Sequence, residues 1–114
     1  MSNTSLGLGD GLQQYLLDVS LKETALCEQV RRQTATMEQG MMISSPEQVQ
    51  LLLLLFKMLN ARSGIEIGTF TGYTSLRLTL GISELQMTCC DISEEFTSIG
   101  KGYWQEAGVD ERIN

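Results

Sequence analysis

Apolar residues fall at helical spacing through the first half of this chain and gather into two short runs in the second half. Leu12, Leu16 and Val19 mark a short amphipathic helix from Asp10. Leu26 and Val30 mark a second one over residues 22 to about 37, and both read as lids on something else. Glu38-Gln39-Gly40 breaks the pattern, and Met41-Met42-Ile43-Ser44 leads to a strong helix start. There Ser45 stands as N-cap, Pro46 takes the first helical position and Gln48 is placed to close a capping box. This helix runs to about Asn60 and carries Val49, Leu51 to Leu55, Phe56, Met58 and Leu59. It is apolar nearly all round, which predicts burial on more than one side, with Leu51 to Leu55 as core rather than a partner groove.

A short connection then enters an apolar strand at residues 64–68, followed by a glycine turn and a helix over residues 72–80 ended by Gly81. Residues 85–90 form a second strand. Ser93 caps the next helix, Glu94 and Glu95 sit in its first turn where the macrodipole favours acids, and Gly108 ends it. Phe96, Ile99, Tyr103 and Ala107 lie along one stripe of that helix. Strand, helix, strand, helix with short links implies an α/β fold whose parallel strands are joined by a right-handed crossover.

Composition narrows the function classes. A chain of 114 residues allows one domain, and a net charge of -6 without a basic cluster argues against nucleic acid or an anionic membrane as partner. Three cysteines, two of them adjacent at Cys89 and Cys90, make a poor disulfide framework and fit a reducing cytoplasm. The absence of histidine excludes Ser-His or Cys-His nucleophilic catalysis within the chain. Residues 51–56 are too few to span a bilayer, and residues 1–11, expected to be loose, lack the regions of a signal peptide. Small organic ligands remain open.

The candidate chemistry lies in the turn. Gly68 and Gly72 let backbone N–H groups approach a ligand, and the helix that follows offers its positive dipole end. Glu66, in the middle of an apolar strand, needs a donor; it either faces a ligand or bonds nearby backbone amides and only orders the loop. Asp91 lies 23 residues beyond Gly68 at the end of the second strand, near the spacing of an acid that accepts ribose hydroxyls. Its alternative is a helix N-terminal acid beside Ser93. Thr69, Thr71, Thr74 and Ser75 supply hydroxyls around the turn, and Cys89 and Cys90 are expected as strand core.

Four segments in order carry a family resemblance: Tyr15-Leu16-Leu17-Asp18-Val19-Ser20-Leu21, Met42-Ile43-Ser44-Ser45-Pro46-Glu47-Gln48, Glu66-Ile67-Gly68-Thr69-Phe70-Thr71-Gly72-Tyr73-Thr74-Ser75-Leu76 and Cys90-Asp91-Ile92-Ser93-Glu94-Glu95. Together, over residues 10 to 113, they resemble the cation-dependent O-methyltransferases of the caffeoyl-CoA and catechol type, which use S-adenosylmethionine. The resemblance implies a Rossmann-like class I methyltransferase fold, a parallel sheet with helices on both faces. Residues 12–114 would be the N-terminal part of that single domain, cut after about the second strand-helix unit. By motif, Glu66, Gly68 and Thr69 line the cofactor site, Thr74 contacts the methionine end and Asp91 takes the ribose hydroxyls. Ser44 touches the cofactor from the preceding loop, and Met42 is a second, weaker match. S-adenosylmethionine carries no phosphate, so the carboxylates of Glu66 and Asp91 meet no anionic repulsion. Gly68-Thr69-Phe70 also departs from the Gly-x-Gly-x-x-Gly turn of a pyrophosphate binder.

Family members are longer, and the residues that hold their divalent cation, two Asp and one Asn, fall beyond Asn114. The chain alone is therefore expected to bind the cofactor without transferring a methyl group to the phenolic or catechol-type hydroxyl of a small-molecule acceptor. In the family fold the first strand is central, so its 65–68 edge is expected to be unpaired, and the isolated chain is expected either to form a homo-oligomer, a dimer, or to be marginally stable. Two rival readings are a non-catalytic remnant or dimerisation module of the same fold, and a fragment of a nicotinamide-binding dehydrogenase.

Overall fold

The structure is a computed structural model and describes residues 7–114. Helices α1 (Asp10–Ser20) and α2 (Ala25–Ala35) and a 3-10 turn (Gly40–Met42) lead into helix α3 (Pro46–Met58). Strand β1 (Ser63–Ile67), helix α4 (Tyr73–Gly81), strand β2 (Gln86–Cys90), helix α5 (Glu94–Glu106) and a second 3-10 turn (Asp110–Arg112) follow. β1 and β2 pair in parallel from Ser63↔Gln86 to Ile67↔Cys90. Beyond the last turn, Ile113 bridges Met87 in parallel, Asn114 N–H donates to Met87 O at 2.9 Å and Cys89 N–H donates to Asn114 O at 2.6 Å. A third strand thus begins beside β2, and the far edge of β1 has no partner among the described residues, as the family arrangement implied.

Local chemistry sets the element ends. α2 begins at Ala25, later than its apolar spacing suggested, because the Thr24 hydroxyl caps it by accepting from Cys27 N–H at 3.3 Å. Ser45 is the N-cap residue of α3, but its hydroxyl makes no capping bond, so the expected capping box is not formed; Pro46 and Glu47 carry that start instead. Ser93 does cap α5, accepting from Phe96 N–H at 3.3 Å, and Gly108 leaves α5 with φ 68°. Gly81 is the last residue of α4 rather than a left-handed stop, since Ile82 continues in extended backbone. Its value is steric: a Cβ there would lie 2.5 Å from Leu53 Cδ1, so α3 and α4 close on each other at this glycine. The loose stretch expected over residues 1–11 falls mostly outside the described residues, and Asp10 and Gly11 are already helical.

Strand burial alternates, and the alternation locates the core. Gly64, Glu66, Met87 and Cys89 lie beneath the helices; a Cβ on Gly64 would meet Met87 Sδ at 2.6 Å and Phe56 of α3 at 3.0 Å. The opposite residues, Ser63, Ile65 and Ile67 with their partners Gln86, Thr88 and Cys90, are all exposed. Of the two helical layers that the fold implies, the described residues supply one, packed around buried Val30, Val49, Tyr73, Leu76, Leu85 and Trp104.

This one-sided layering corrects two expectations. α3 buries Val49 and half-buries Leu52, Leu53 and Phe56, but Leu51, Leu54, Leu55, Met58 and Leu59 are exposed. Among the described residues α4 and α1 are its main helical neighbours, so its apolar character all round is not matched by burial all round. α1 likewise turns Leu12 and Val19 outward while buried Gln13 donates to Glu47 Oε1 at 3.1 Å. Cys90 is exposed on the open sheet face rather than in the strand core, whereas Cys89 is half-buried.

Ile65 is 75% exposed and Ile67 is 86% exposed, beside an unpaired strand edge. Changing both to Thr is expected to leave stability within about 0.5 kcal/mol, because neither contributes buried area. It is also expected to lower self-association in sedimentation equilibrium. A double variant that associates as strongly as the unaltered chain would place the contact elsewhere.

Candidate functional site

The site forms where β1 ends. Gly68 N–H donates to Cys90 O at 2.8 Å, the last rung between the strands, and the chain then turns through left-handed backbone three times: Gly68 (φ 88°), Phe70 (φ 52°) and Gly72 (φ 74°). At Phe70 this conformation costs roughly 1–2 kcal/mol. Two contacts hold it there. Phe70 N–H donates to Asp91 Oδ2 at 2.7 Å, and its ring meets Phe96 edge to face with centroids 4.7 Å apart.

Asp91 therefore straps two turns together, because its Oδ1 accepts from Ser93 N–H at 2.9 Å. Bonding from the Phe70 and Ser93 amides holds its carboxyl below the ordinary aspartate value, so it is ionised at neutral pH. A carboxylate has about four acceptor positions; Asp91 is exposed, which leaves it able to accept hydroxyls as well. The helix N-terminal role and the ligand role that the sequence set against each other are geometrically compatible.

Glu66 projects to the helix-covered side, where Cys89 Sγ–H donates to Oε2 at 3.7 Å. Burial pushes its carboxyl up to about 7, against the pull of the Thr74 and Ser75 hydroxyls and the Cys89 thiol. Its partners are side chains rather than the loop amides, so ordering the loop is not what occupies it. The same burial, with Glu66 close by, pushes the Cys89 thiol up to about 11, which keeps it from acting as a nucleophile.

Ser44, Glu66, Gly68, Thr69 and Thr74 line one small cleft, with Met42 at its rim. Asp91 lies in the adjoining hollow between β2, α5 and Asn114. Thr69 is buried and its hydroxyl donates to Cys90 O at 3.4 Å, so it presents backbone rather than side chain to the cleft. Gly68 has nothing within 4 Å of where a Cβ would stand, so open space faces its backbone.

Sequence reasoning missed the ties behind the turn. The Thr71 and Thr34 hydroxyls lie 2.7 Å apart, Trp104 Nε1–H donates to Gly72 O at 3.2 Å, and Tyr73 O–H donates to Glu23 Oε2 at 2.9 Å. One signal was available. Gly100 inside α5 has no reason to be glycine on a solvated helix, and here a Cβ would sit 3.2 Å from Thr71 O and 3.3 Å from Gly72 Cα.

Residues 17–114 match the family model described as O-methyltransferase. The chain belongs to the O-methyltransferase family. It is 34% identical over 104 residues to the catechol O-methyltransferase domain-containing protein 1 of Mus musculus, covering 90% of this chain and 40% of that protein. It is 35% identical over 117 residues to the caffeoyl-CoA O-methyltransferase of Zinnia elegans, covering 100% and 48%. Among solved structures it resembles the Bacillus cereus O-methyltransferase in complex with SAH, with TM-score 0.80 and 28% identity over 91% of this chain and 48% of that one. An SAH-bound methyltransferase of Podospora anserina has TM-score 0.81 at 15% identity, a likeness of fold alone. This member of the family spans about half the length of the relatives it matches.

Proposed function

We propose that this chain is the cofactor-binding half of an S-adenosylmethionine-dependent O-methyltransferase whose acceptor is a phenolic or catechol-type hydroxyl of a small molecule. The observation that carries the reading is the turn itself: open space before Gly68, flanked by a buried carboxyl at Glu66 and an exposed carboxylate at Asp91. Two acids suit a ligand that is cationic at one end, hydroxylated in the middle and free of phosphate. The nicotinamide reading is disfavoured by the turn, because Gly68-Thr69-Phe70 lacks the Gly-x-Gly-x-x-Gly pattern of a pyrophosphate binder.

Bound at this turn, S-adenosylmethionine supplies a methyl group on a sulfonium. The chain's own residues supply position and charge. Asp91 accepts ribose hydroxyls with the lone pairs left by its two backbone bonds, and the Gly68 and Thr69 backbone lines the ligand. Glu66, with Thr74 beside it and Ser44 opposite, faces the cationic methionine end. No group of three or more His, Cys, Asp or Glu with metal-holding geometry exists among the described residues, so they do not fit the divalent cation that the family resemblance implies. No helix among the described residues is long and apolar enough to cross a membrane.

Calorimetry with S-adenosylhomocysteine against NAD tests the reading. Heat is expected with the first and not the second, and Gly68→Ala is expected to abolish it while costing only about 1 kcal/mol of stability, since the new methyl enters open space at a left-handed position. Heat with NAD would sink the proposal, and no heat with either would favour a non-catalytic module of the same fold.

A further inference from the structure

Three consecutive residues of the cofactor turn are each tied to a different distant element, and the far partners Thr34, Trp104 and Glu23 are not among the residues that line the cleft. Thr71 is tied to Thr34 of α2, Gly72 to Trp104 of α5, and Tyr73 to Glu23 in the link between α1 and α2, where Glu23 also pairs with Arg31. The ties differ in how replaceable they are. Gly72 O accepts from three donors, Trp104 Nε1–H, Ser75 Oγ–H at 3.1 Å and Leu76 N–H at 3.0 Å, so losing the indole leaves two. Tyr73 reaches a carboxylate at the margin of the core. The Thr71 tie has no substitute, because Thr34 is 0% exposed and Thr71 is 1% exposed.

Its direction can be deduced. A hydroxyl has one hydrogen, and Thr34 Oγ1–H donates to Val30 O at 2.8 Å. Thr71 must therefore be the donor to Thr34 Oγ1. Removing the Thr34 oxygen leaves the Thr71 O–H buried with no acceptor, and the turn can recover one only by rotating Thr71 out, next to the strained Phe70.

We infer that Thr34 is a positioning residue for the cofactor turn: through the Thr71 hydroxyl, helix α2 holds the Phe70 to Gly72 backbone in its ligand-competent form. The turn is then a two-form element, and apparent affinity falls in proportion to the fraction that leaves the competent form. The affinity arm of this inference rests on the S-adenosylmethionine reading above; the backbone arm does not.

The test compares Thr34→Val, nearly the same shape without the acceptor, with Thr34→Ser, which keeps it, using the whole chain. Hydrogen exchange at the Phe70 and Gly72 amides is expected to quicken by roughly tenfold in Thr34→Val and to return to the original rate in Thr34→Ser, while amides of β2 stay unchanged. S-adenosylhomocysteine affinity is expected to fall by about tenfold and recover in the same pattern. Should Thr34→Val not fold, Thr71→Val removes the same tie without orphaning a donor and is expected to give the same local exchange and affinity changes. Trp104→Phe is expected to have a smaller effect than either. Unchanged exchange at the turn, exchange that rises equally in β2, or failure of Thr34→Ser to restore it would overturn the inference. If the unaltered chain binds no S-adenosylhomocysteine, the cofactor reading falls, and the exchange result still decides the role of Thr34.

Discussion

Glu66→Gln is expected to stabilise the unliganded chain by about 3 kcal/mol at pH 8 and to change it little at pH 4. The carboxyl is pushed up to about 7 in the folded chain from an ordinary 4.5, chiefly through burial. A folded-state value raised above the unfolded one means that the folded chain holds its proton longer, so stability falls as pH rises from about 4.5 to about 7 and then levels. At 1.36 kcal/mol for each unit of difference, ionising Glu66 costs about 3 kcal/mol once the pH is above both values. Glutamine removes that cost while keeping the shape. Urea unfolding at both pH values gives the difference directly, and a variant no more stable at pH 8 would show that Glu66 is solvated in the free chain. The same substitution should weaken S-adenosylhomocysteine binding, because a ligand ammonium favours the charged carboxylate; for the unaltered chain, binding should release a proton near neutral pH. A stabilised variant with unweakened binding would remove Glu66 from the cofactor site.

Gly72→Ala carries a comparable cost for a different reason. The residue sits at φ 74°, and a Cβ there would meet the Trp104 ring at 2.7 Å and 2.9 Å. The ring cannot withdraw cheaply, since it is buried and its Nε1–H is spent on the Gly72 carbonyl. Left-handed strain of roughly 1–2 kcal/mol and overpacking of roughly 1–3 kcal/mol place the loss at about 3 kcal/mol, a large share of the stability of a small domain. Gly68→Ala has similar backbone strain and no clash, so denaturant midpoints of the two variants separate the contributions. Equal losses would mean that the indole gives way.

The parts of this fold legible in the sequence were those written in local chemistry. Ser93 and Gly108 bracket α5 because capping and left-handed exit depend on residue type alone. Glu66, Gly68 and Asp91 stood out because an acid in an apolar strand and a glycine at its end have few structural uses. What the sequence did not disclose depends on partners far along the chain. The outer face of α3 reads like its inner face, Leu for Leu, and only the placement of α1 and α4 decides which of Leu51 to Leu55 is covered. Thr34 resembles any threonine in a polar helix, and its worth comes from Thr71, 37 positions away.

The bare face of the sheet has a thermodynamic corollary. The side-chain ties to the turn from Glu23, Thr34 and Trp104 all come from the helix-covered side, so a molecule seated at Gly68 meets a turn braced from behind. Such a molecule contributes RT ln(1 + [L]/Kd) to the folded state, about 2.7 kcal/mol at a hundredfold excess over Kd. If the proposed methyl donor is that molecule, its binding adds this amount to the folded state, so a thermal melt in its presence is expected to shift upward.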